Sequence, residues 1–247
     1  MSTTIFAHRG ASKYAPENTI AAFQLAYDLG AEGIETDVHL TKDHIPVLIH
    51  DEHVLRTTDS VGYIKDFTYA ELERLDAGSW FSNSFAGERI LSLEQFLQWI
   101  KPKQLKLNIE LKNNKINYQN LESIVYELIE HYKLQERTII STFNKKSVQR
   151  LKRMNKAIEI ALLTSKRNKN LIQHTKELGA NALHIKYRLL SKKLINQAHH
   201  ENISVRVYTI NKVTHMLNCF SKECDGIFTD IPDLGIKTRK KYYSVNN

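Results

Sequence analysis

Residues 105–154 read LKLNIELKNNKINYQNLESIVYELIEHYKLQERTIISTFNKKSVQRLKRM, and this stretch decides the fold class. Leu105 to Leu111 is a short apolar run of strand length, and Tyr118 to Tyr132 carries apolar residues at helical spacing. Thr138 to Ser141 is strand-like again, and Lys145 to Met154 is helical. Two strand-then-helix units therefore follow one another, each strand ending in polar residues, Glu110-Leu111-Lys112 and Ser141-Thr142-Phe143-Asn144.

The same rhythm runs outward in both directions. Downstream come strand Glu159 to Leu163, helix Lys169 to Leu178, strand Ala182 to Ile185 and helix Ser191 to Glu201. Strand Ser204 to Tyr208, helix Lys212 to Phe220 and strand Gly226 to Thr229 complete that half. Upstream, strand Ile5 to His8 precedes a helix from about Asn18 to Leu29, with Glu17-Asn18-Thr19 as its polar start and Gly30 as its stop. Gly33 to Leu40 and Pro46 to His50 are strands separated by too few residues for a helix. Residues from about 52 to 100 are less regular: a helix near Tyr69 to Leu75, an aromatic segment, and a helix from Ser92 whose Ser92-Leu93-Glu94-Gln95 start is a capping box. At about fifty residues this is too small for a core of its own and reads as an elaborated loop.

Alternation of this kind specifies a parallel sheet flanked by helices. Of the nine candidate strands, eight would close a (β/α)8 TIM-type barrel and one would be a loop element; an open doubly wound sheet is the rival. Side-chain placement favours the barrel. His8-Arg9-Gly10, Glu35-Thr36-Asp37, His50-Asp51 and Glu110-Leu111-Lys112 all close apolar runs, and Lys186 and Tyr208-Thr209 continue the series. A barrel gathers such strand ends at one mouth, whereas an open sheet spreads them along an edge. The expectation is a single domain over residues 1–247 with an inserted lobe at about 52–100, between the third and fourth strands.

Composition sets the outer limits. With 42% hydrophobic residues the chain can bury a large core. No apolar run approaches the length of a membrane span. The opening Met1-Ser2-Thr3-Thr4-Ile5-Phe6-Ala7 lacks the basic region of a secretory signal. Cys219 and Cys224 have no metal-ligand spacing and read as reduced thiols, so a cytoplasmic protein is expected. The net charge of +8 favours an anionic partner, but its blocks, such as Lys145-Lys146, Arg150 to Arg153 and Lys237 to Lys241, lack interleaved aromatics. A phosphorylated small molecule is the expected partner, with neither nucleic acid nor stable membrane insertion.

The strand-end residues carry the chemistry. Glu35 and Asp37 are two apart on one strand and share a face, so their repulsion calls for a cation or a proton. With Glu110 they form an oxygen-only set suited to a hard ion, Ca2+ or Mg2+. His8 and His50 can exchange protons near neutral pH. Arg9 and Lys112 can stabilise charge building on a phosphate, or can simply pair with the carboxylates. His39, His44, His53, His131, His174, His199, His200 and His215 lack such company and look bland, and His184, which approaches a strand end, is ambiguous. A barrel lyase using a metal to stabilise an enolate would leave the paired histidines and Arg9 without a joint role, and the presence of every expected reactive group counts against a non-catalytic phosphate binder.

These residues recur in an order that resembles the glycerophosphodiester phosphodiesterase family. The matching motifs are His8-Arg9-Gly10, Ala15-Pro16-Glu17-Asn18-Thr19, Glu35-Thr36-Asp37-Val38, Val47-Leu48-Ile49-His50-Asp51, Asn108-Ile109-Glu110-Leu111-Lys112, Ser141-Thr142-Phe143-Asn144 and Asp225 to Pro232. The resemblance implies a phosphodiesterase barrel holding one divalent cation on Glu35, Asp37 and Glu110, with His8 and His50 as acid–base pair and Arg9 and Lys112 on the phosphate. It implies hydrolysis of glycerophosphocholine or glycerophosphoethanolamine to glycerol 3-phosphate and an alcohol, through attack by a substrate hydroxyl and a cyclic phosphate that water opens. It also implies that the inserted segment lies over the mouth. Tyr208 stands where many relatives have tryptophan, which reshapes the wall facing the substrate, and His44 replaces a usual turn glycine and requires a positive φ or another turn.

Overall fold

The computed structural model describes residues 2–154 and 157–246 of the chain; Met1, Asn155, Lys156 and Asn247, which the single-domain expectation includes, lie outside them. Eight parallel strands form a closed barrel: β1 (Thr4–His8), β2 (Gly33–Leu40), β4 (Lys106–Leu111), β5 (Thr138–Thr142), β6 (Glu159–Thr164), β7 (Ala182–Lys186), β8 (Ser204–Tyr208) and β9 (Gly226–Thr229). Closure comes from β1, which pairs with both β2 and β9. The odd strand is β3 (Pro46–Leu48), which folds back antiparallel on β2 through the turn at His44, where φ is +61°. It stops two residues short of the expected end at His50: the Ile49 N–H still donates to the Asp37 carbonyl in the same register, and beyond it the His50 carbonyl accepts from the His39 ring instead of the ladder.

Helices α1 (Ile20–Asp28), α4 (Leu121–His131), α5 (Lys145–Met154), α6 (Leu171–Leu178), α7 (Lys192–His200) and α8 (Val213–Ser221) follow their strands with bounds close to those expected. Thr19 caps α1 by accepting from the Ala22 N–H. The basic residues Lys145, Lys146, Lys152 and Arg153 of α5 are exposed, while Val148 and Leu151 are buried against the sheet.

Strand periodicity creates two cores. Outward residues such as Ile5, Ile34, Ile109 and Val205 join the helices in one large cluster. Inward residues Phe6, Ile139, Ala161, Ala182 and Phe228 fill the barrel bottom, with the Phe6 and Phe228 rings 5.2 Å apart. Gly10 stands at φ +82°, and a Cβ there would lie 2.6 Å from Ala22, so only glycine lets the loop after β1 lie against α1.

Between β3 and β4 come the short helix α2 (Tyr69–Leu72) and α3 (Leu93–Ile100). Val54, Ile64, Leu72, Ala77 and Ile90 make a small cluster with Val47 and Ile49. By contrast, α3 starts at the Ser92–Gln95 capping box and buries Leu93, Phe96, Leu97 and Ile100 in the main core, with Phe96 4.6 Å from the Phe23 ring.

The basic block Lys237 to Lys241, which carried no structural assignment in the sequence, belongs to helix α9 (Pro232–Asn246). Arg239 donates to the Thr3 carbonyl at 2.6 Å and to Glu32 at 2.9 Å, and Tyr242 packs 5.9 Å from the Phe220 ring. The partner charge for Arg239 lies 207 residues away, so local sequence could not reveal it.

Candidate active site

Strand register, rather than sequence proximity, assembles the mouth. His8 of β1 stands opposite Glu35 of β2, and Glu110 of β4 stands opposite Asp37. Oxygens of Glu35, Asp37 and Glu110 all lie within 4.8 Å of one another, so the three expected ligands do converge. Burial and then the Asp37 charge push the Glu35 pKa well above the usual carboxylate range. Burial acts on Asp37 in the same direction, but Arg9 and Lys112 overcome it and hold that group ionised.

The two cations are woven into this cluster. Lys112 donates to Glu110 Oε1 at 2.9 Å and lies 3.4 Å from Asp37 Oδ1. Burial alone would lower the Lys112 pKa, yet Asp37 and Glu110 raise it, so the ammonium stays charged. Arg9 sits in the left-handed region, φ +56°, which lets its backbone N–H donate to the Glu35 carboxylate at 3.0 Å. Its guanidinium bridges Glu17 at 2.9 Å and Asp37 at 3.2 Å.

Each histidine is held by a carboxylate on Nδ1. His8 Nδ1 lies 2.7 Å from Asp230 Oδ1, and His50 Nδ1 lies 2.6 Å from Asp51 Oδ1. A carboxylate there fixes the proton on Nδ1 and leaves Nε2 for the reacting atoms. Burial opposes a charge on His8, but Glu35 and Asp230 outweigh it and its pKa is raised. His8 Nε2 lies 3.9 Å from Glu35.

Several groups were missed by sequence reasoning. Asp230 was quoted only as part of a motif, and nothing local links it to His8, 222 residues away. Glu17 looked like a helix start, yet it receives Arg9 and both terminal nitrogens of Arg56 at 2.8 Å, while Arg56 Nε holds Asp51 at 2.6 Å. Asn18 donates to Asp37 at 3.2 Å. His39 is no bland strand residue: fully buried, it bonds the Tyr118 hydroxyl at 2.9 Å and the His50 carbonyl at 3.1 Å. A histidine spaced two residues from Asp37 on the same face was the one available signal.

Part of this cluster lines a cavity of about 390 Å³. His8, Arg9, Glu35, His50, Glu110 and Lys112 make its charged side, and Phe143, Leu163, Tyr208 and Phe228 its apolar wall. Tyr208 is steadied by donating to the Thr164 carbonyl at 3.0 Å. A wider open groove of about 930 Å³ between α6 and α7 contains none of the candidate catalytic groups, so size does not identify the reactive site.

Comparison with known proteins agrees with this geometry. Residues 8–234 match the model of the glycerophosphoryl diester phosphodiesterase family. The chain is 39% identical over 241 residues to a glycerophosphodiester phosphodiesterase of Caldanaerobacter subterraneus subsp. tengcongensis, covering 98% of this chain and 99% of that protein. It is 37% identical over 242 residues to a Bacillus altitudinis protein of the same name, covering 97% and 99%. Among solved structures, the Oleispira antarctica phosphodiesterase in complex with the product sn-glycerol-3-phosphate superposes with a TM-score of 0.91 at 29% identity, covering 97% of both chains. The barrel, its carboxylate mouth and these likenesses over nearly the whole sequence make the chain a member of the glycerophosphoryl diester phosphodiesterase family, an enzyme that hydrolyses phosphoric diesters.

Proposed function

We propose that this enzyme hydrolyses glycerophosphodiesters such as glycerophosphocholine or glycerophosphoethanolamine to glycerol 3-phosphate and the free alcohol, using one Ca2+ or Mg2+ ion. The observation that carries the reading is the convergence of Glu35, Asp37 and Glu110 between two carboxylate-held histidines. The donor set fits a hard cation: three carboxylates, no sulfur, and a buried Asp37 Oδ1 that has no hydrogen bond among the described residues, its contact with Lys112 at 3.4 Å being an ion pair alone. Burial and then the neighbouring Asp37 charge raise the Glu35 pKa, and a bound cation would offset both. When bound, a divalent ion supplies positive charge to a phosphate oxygen and to the charge that develops there.

The chain's own groups supply the remainder. Lys112 keeps an ammonium at the cavity edge to receive the phosphate, while Arg9 locks Glu17, Glu35 and Asp37 in place. One imidazole Nε2 takes the proton of the glycerol hydroxyl as its oxygen bonds to phosphorus. The other imidazole, protonated, gives its proton to the departing alcohol oxygen as that P–O bond breaks. Water then opens the cyclic phosphate with the two roles reversed, and both histidines regain their starting states. Tyr208 and Phe143 wall the cavity where the organic part of the substrate lies. Among the described residues no helix is long and apolar enough to cross a membrane, and the buried free thiols of Cys219 and Cys224 support a cytoplasmic setting.

The experiment is enzymatic release of glycerol 3-phosphate from glycerophosphocholine with excess Ca2+ or Mg2+, against a parallel reaction with chelator. Product in the first and loss in the second support the reading; no glycerol 3-phosphate under any condition refutes it.

A further inference from the structure

Two buried polar atoms on the floor of the active-site cavity have no partner among the described residues. Asn108 of β4 lies opposite Glu35 and one inward position below Glu110. His184 of β7 lies between Ala182, in the apolar barrel bottom, and Lys186 at the rim. Both side chains line the cavity of about 390 Å³, and both residues are at least nine-tenths buried. Neither Asn108 Oδ1 nor His184 Nδ1 makes a hydrogen bond to any of the described residues.

Their neighbours fix what each atom offers. Asn108 Nδ2 donates to Ser141 Oγ at 3.0 Å, which leaves Oδ1 as an acceptor. Either orientation of the amide leaves one polar atom unmatched. His184 Nε2 faces Arg206 Nη1 at 3.4 Å, and Arg206 is itself held by Glu159. A guanidinium can only donate, so Nε2 accepts and the ring proton sits on Nδ1. Burial and the Arg206 charge both press the imidazole towards its neutral form. The floor thus presents one acceptor and one N–H donor without partners, and a buried group left unmatched is costly unless something meets it.

A hydroxyl group both gives and accepts a hydrogen bond, so it is the group that could meet both across the cavity the two side chains share. With the phosphate held by the charged groups at the mouth, a glycerol end directed inward would bring its terminal hydroxyl to the floor, with its carbons beside Leu163 and Phe228, which line the same cavity. We infer that Asn108 and His184 form a hydroxyl subsite that takes the terminal hydroxyl of the substrate's glycerol. This rests on the glycerophosphodiesterase reading and adds the residues that select glycerol over other alcohols.

The test compares glycerophosphocholine with its analogue built on propane-1,2-diol, which lacks only the terminal hydroxyl and keeps the middle one. The wild-type enzyme, with metal present, favours glycerophosphocholine by tenfold or more in kcat/KM, on the order expected for a buried hydrogen-bonding site. Asn108→Leu and His184→Phe lower kcat/KM for glycerophosphocholine towards the analogue's value and leave the analogue within about twofold of wild type. His184→Asn, whose amide N–H replaces Nδ1–H, recovers part of the preference. Equal wild-type activity on the two substrates overturns the inference even if no variant folds, and shows that the floor binds water alone. A variant that slows both substrates equally overturns it too. Wild-type protein that releases product from neither substrate refutes instead the phosphodiesterase reading itself.

Discussion

Replacing Asp230 by asparagine isolates the contribution of one carboxylate to proton transfer. The Asp230 Oδ1 to His8 Nδ1 contact is 2.7 Å, and Ser12 Oγ also donates to that oxygen at 3.2 Å. Asparagine keeps the shape but loses the charge, and the amide nitrogen presented in one of its orientations cannot accept from Nδ1–H. A hydrogen bond to a charged group contributes about 1.5–3 kcal/mol. If that stabilisation belongs to the imidazolium formed during turnover, kcat falls by about 10- to 100-fold at about 1.4 kcal/mol per decade. Loss of the negative neighbour also lowers the His8 pKa, because Asp230 is among the groups that raise it. The pH profile of kcat/KM therefore moves its His8 limb towards lower pH. The assay is steady-state release of glycerol 3-phosphate across pH, with a melting curve to confirm folding. Unchanged kcat, or a change confined to KM, refutes the role assigned to the His8–Asp230 pair.

Other outcomes follow from the same geometry. His8→Ala and His50→Ala reduce kcat by roughly 10² to 10⁴ while a nonreacting phosphate ligand binds within a few-fold of wild type, measured by competitive inhibition. Asp37→Ala abolishes most activity and its dependence on added metal, because the remaining Glu35 and Glu110 cannot hold the ion alone; a metal titration of activity checks this. His39 has its pKa pushed down to about 4 by burial. Its unfolded value is near 6.5, so the unfolded chain binds more protons between pH 6.5 and 4, and stability falls as pH drops through that window. The loss reaches about 3 kcal/mol from this group at the low end, and urea unfolding at pH 7 and pH 4.5 of wild type against His39→Gln measures it. A variant with the same acid loss as wild type contradicts this.

The barrel could be read from the chain because its signals are local: apolar runs of strand length, helices bounded by caps, and polar residues at strand ends. Glu35 and Asp37 sharing a face follows from strand period two, and the structure keeps them together. What was hidden depends on register and closure. Nothing in residues 105–112 states that Glu110 stands beside Asp37, and His8 meets Asp230 only because β9 returns to β1. His39 was passed over because its partner at the site is a backbone carbonyl, which has no sequence signature. Helix α9 was passed over because five residues of mainly basic character look solvated, whereas Arg239 is paired with Glu32 and Tyr242 rests on Phe220. Glu17 was assigned to the helix start for its position, although its charge serves Arg9 and Arg56.

Calorimetric titration of chelator-stripped protein with Ca2+ and with Mg2+ tests the central claim most directly. The account predicts saturation at one ion per chain for at least one of the two metals, with binding lost in Glu35→Gln and in Glu110→Gln variants that keep the wild-type melting curve. No heat of binding for either metal, or full binding in those variants, contradicts it.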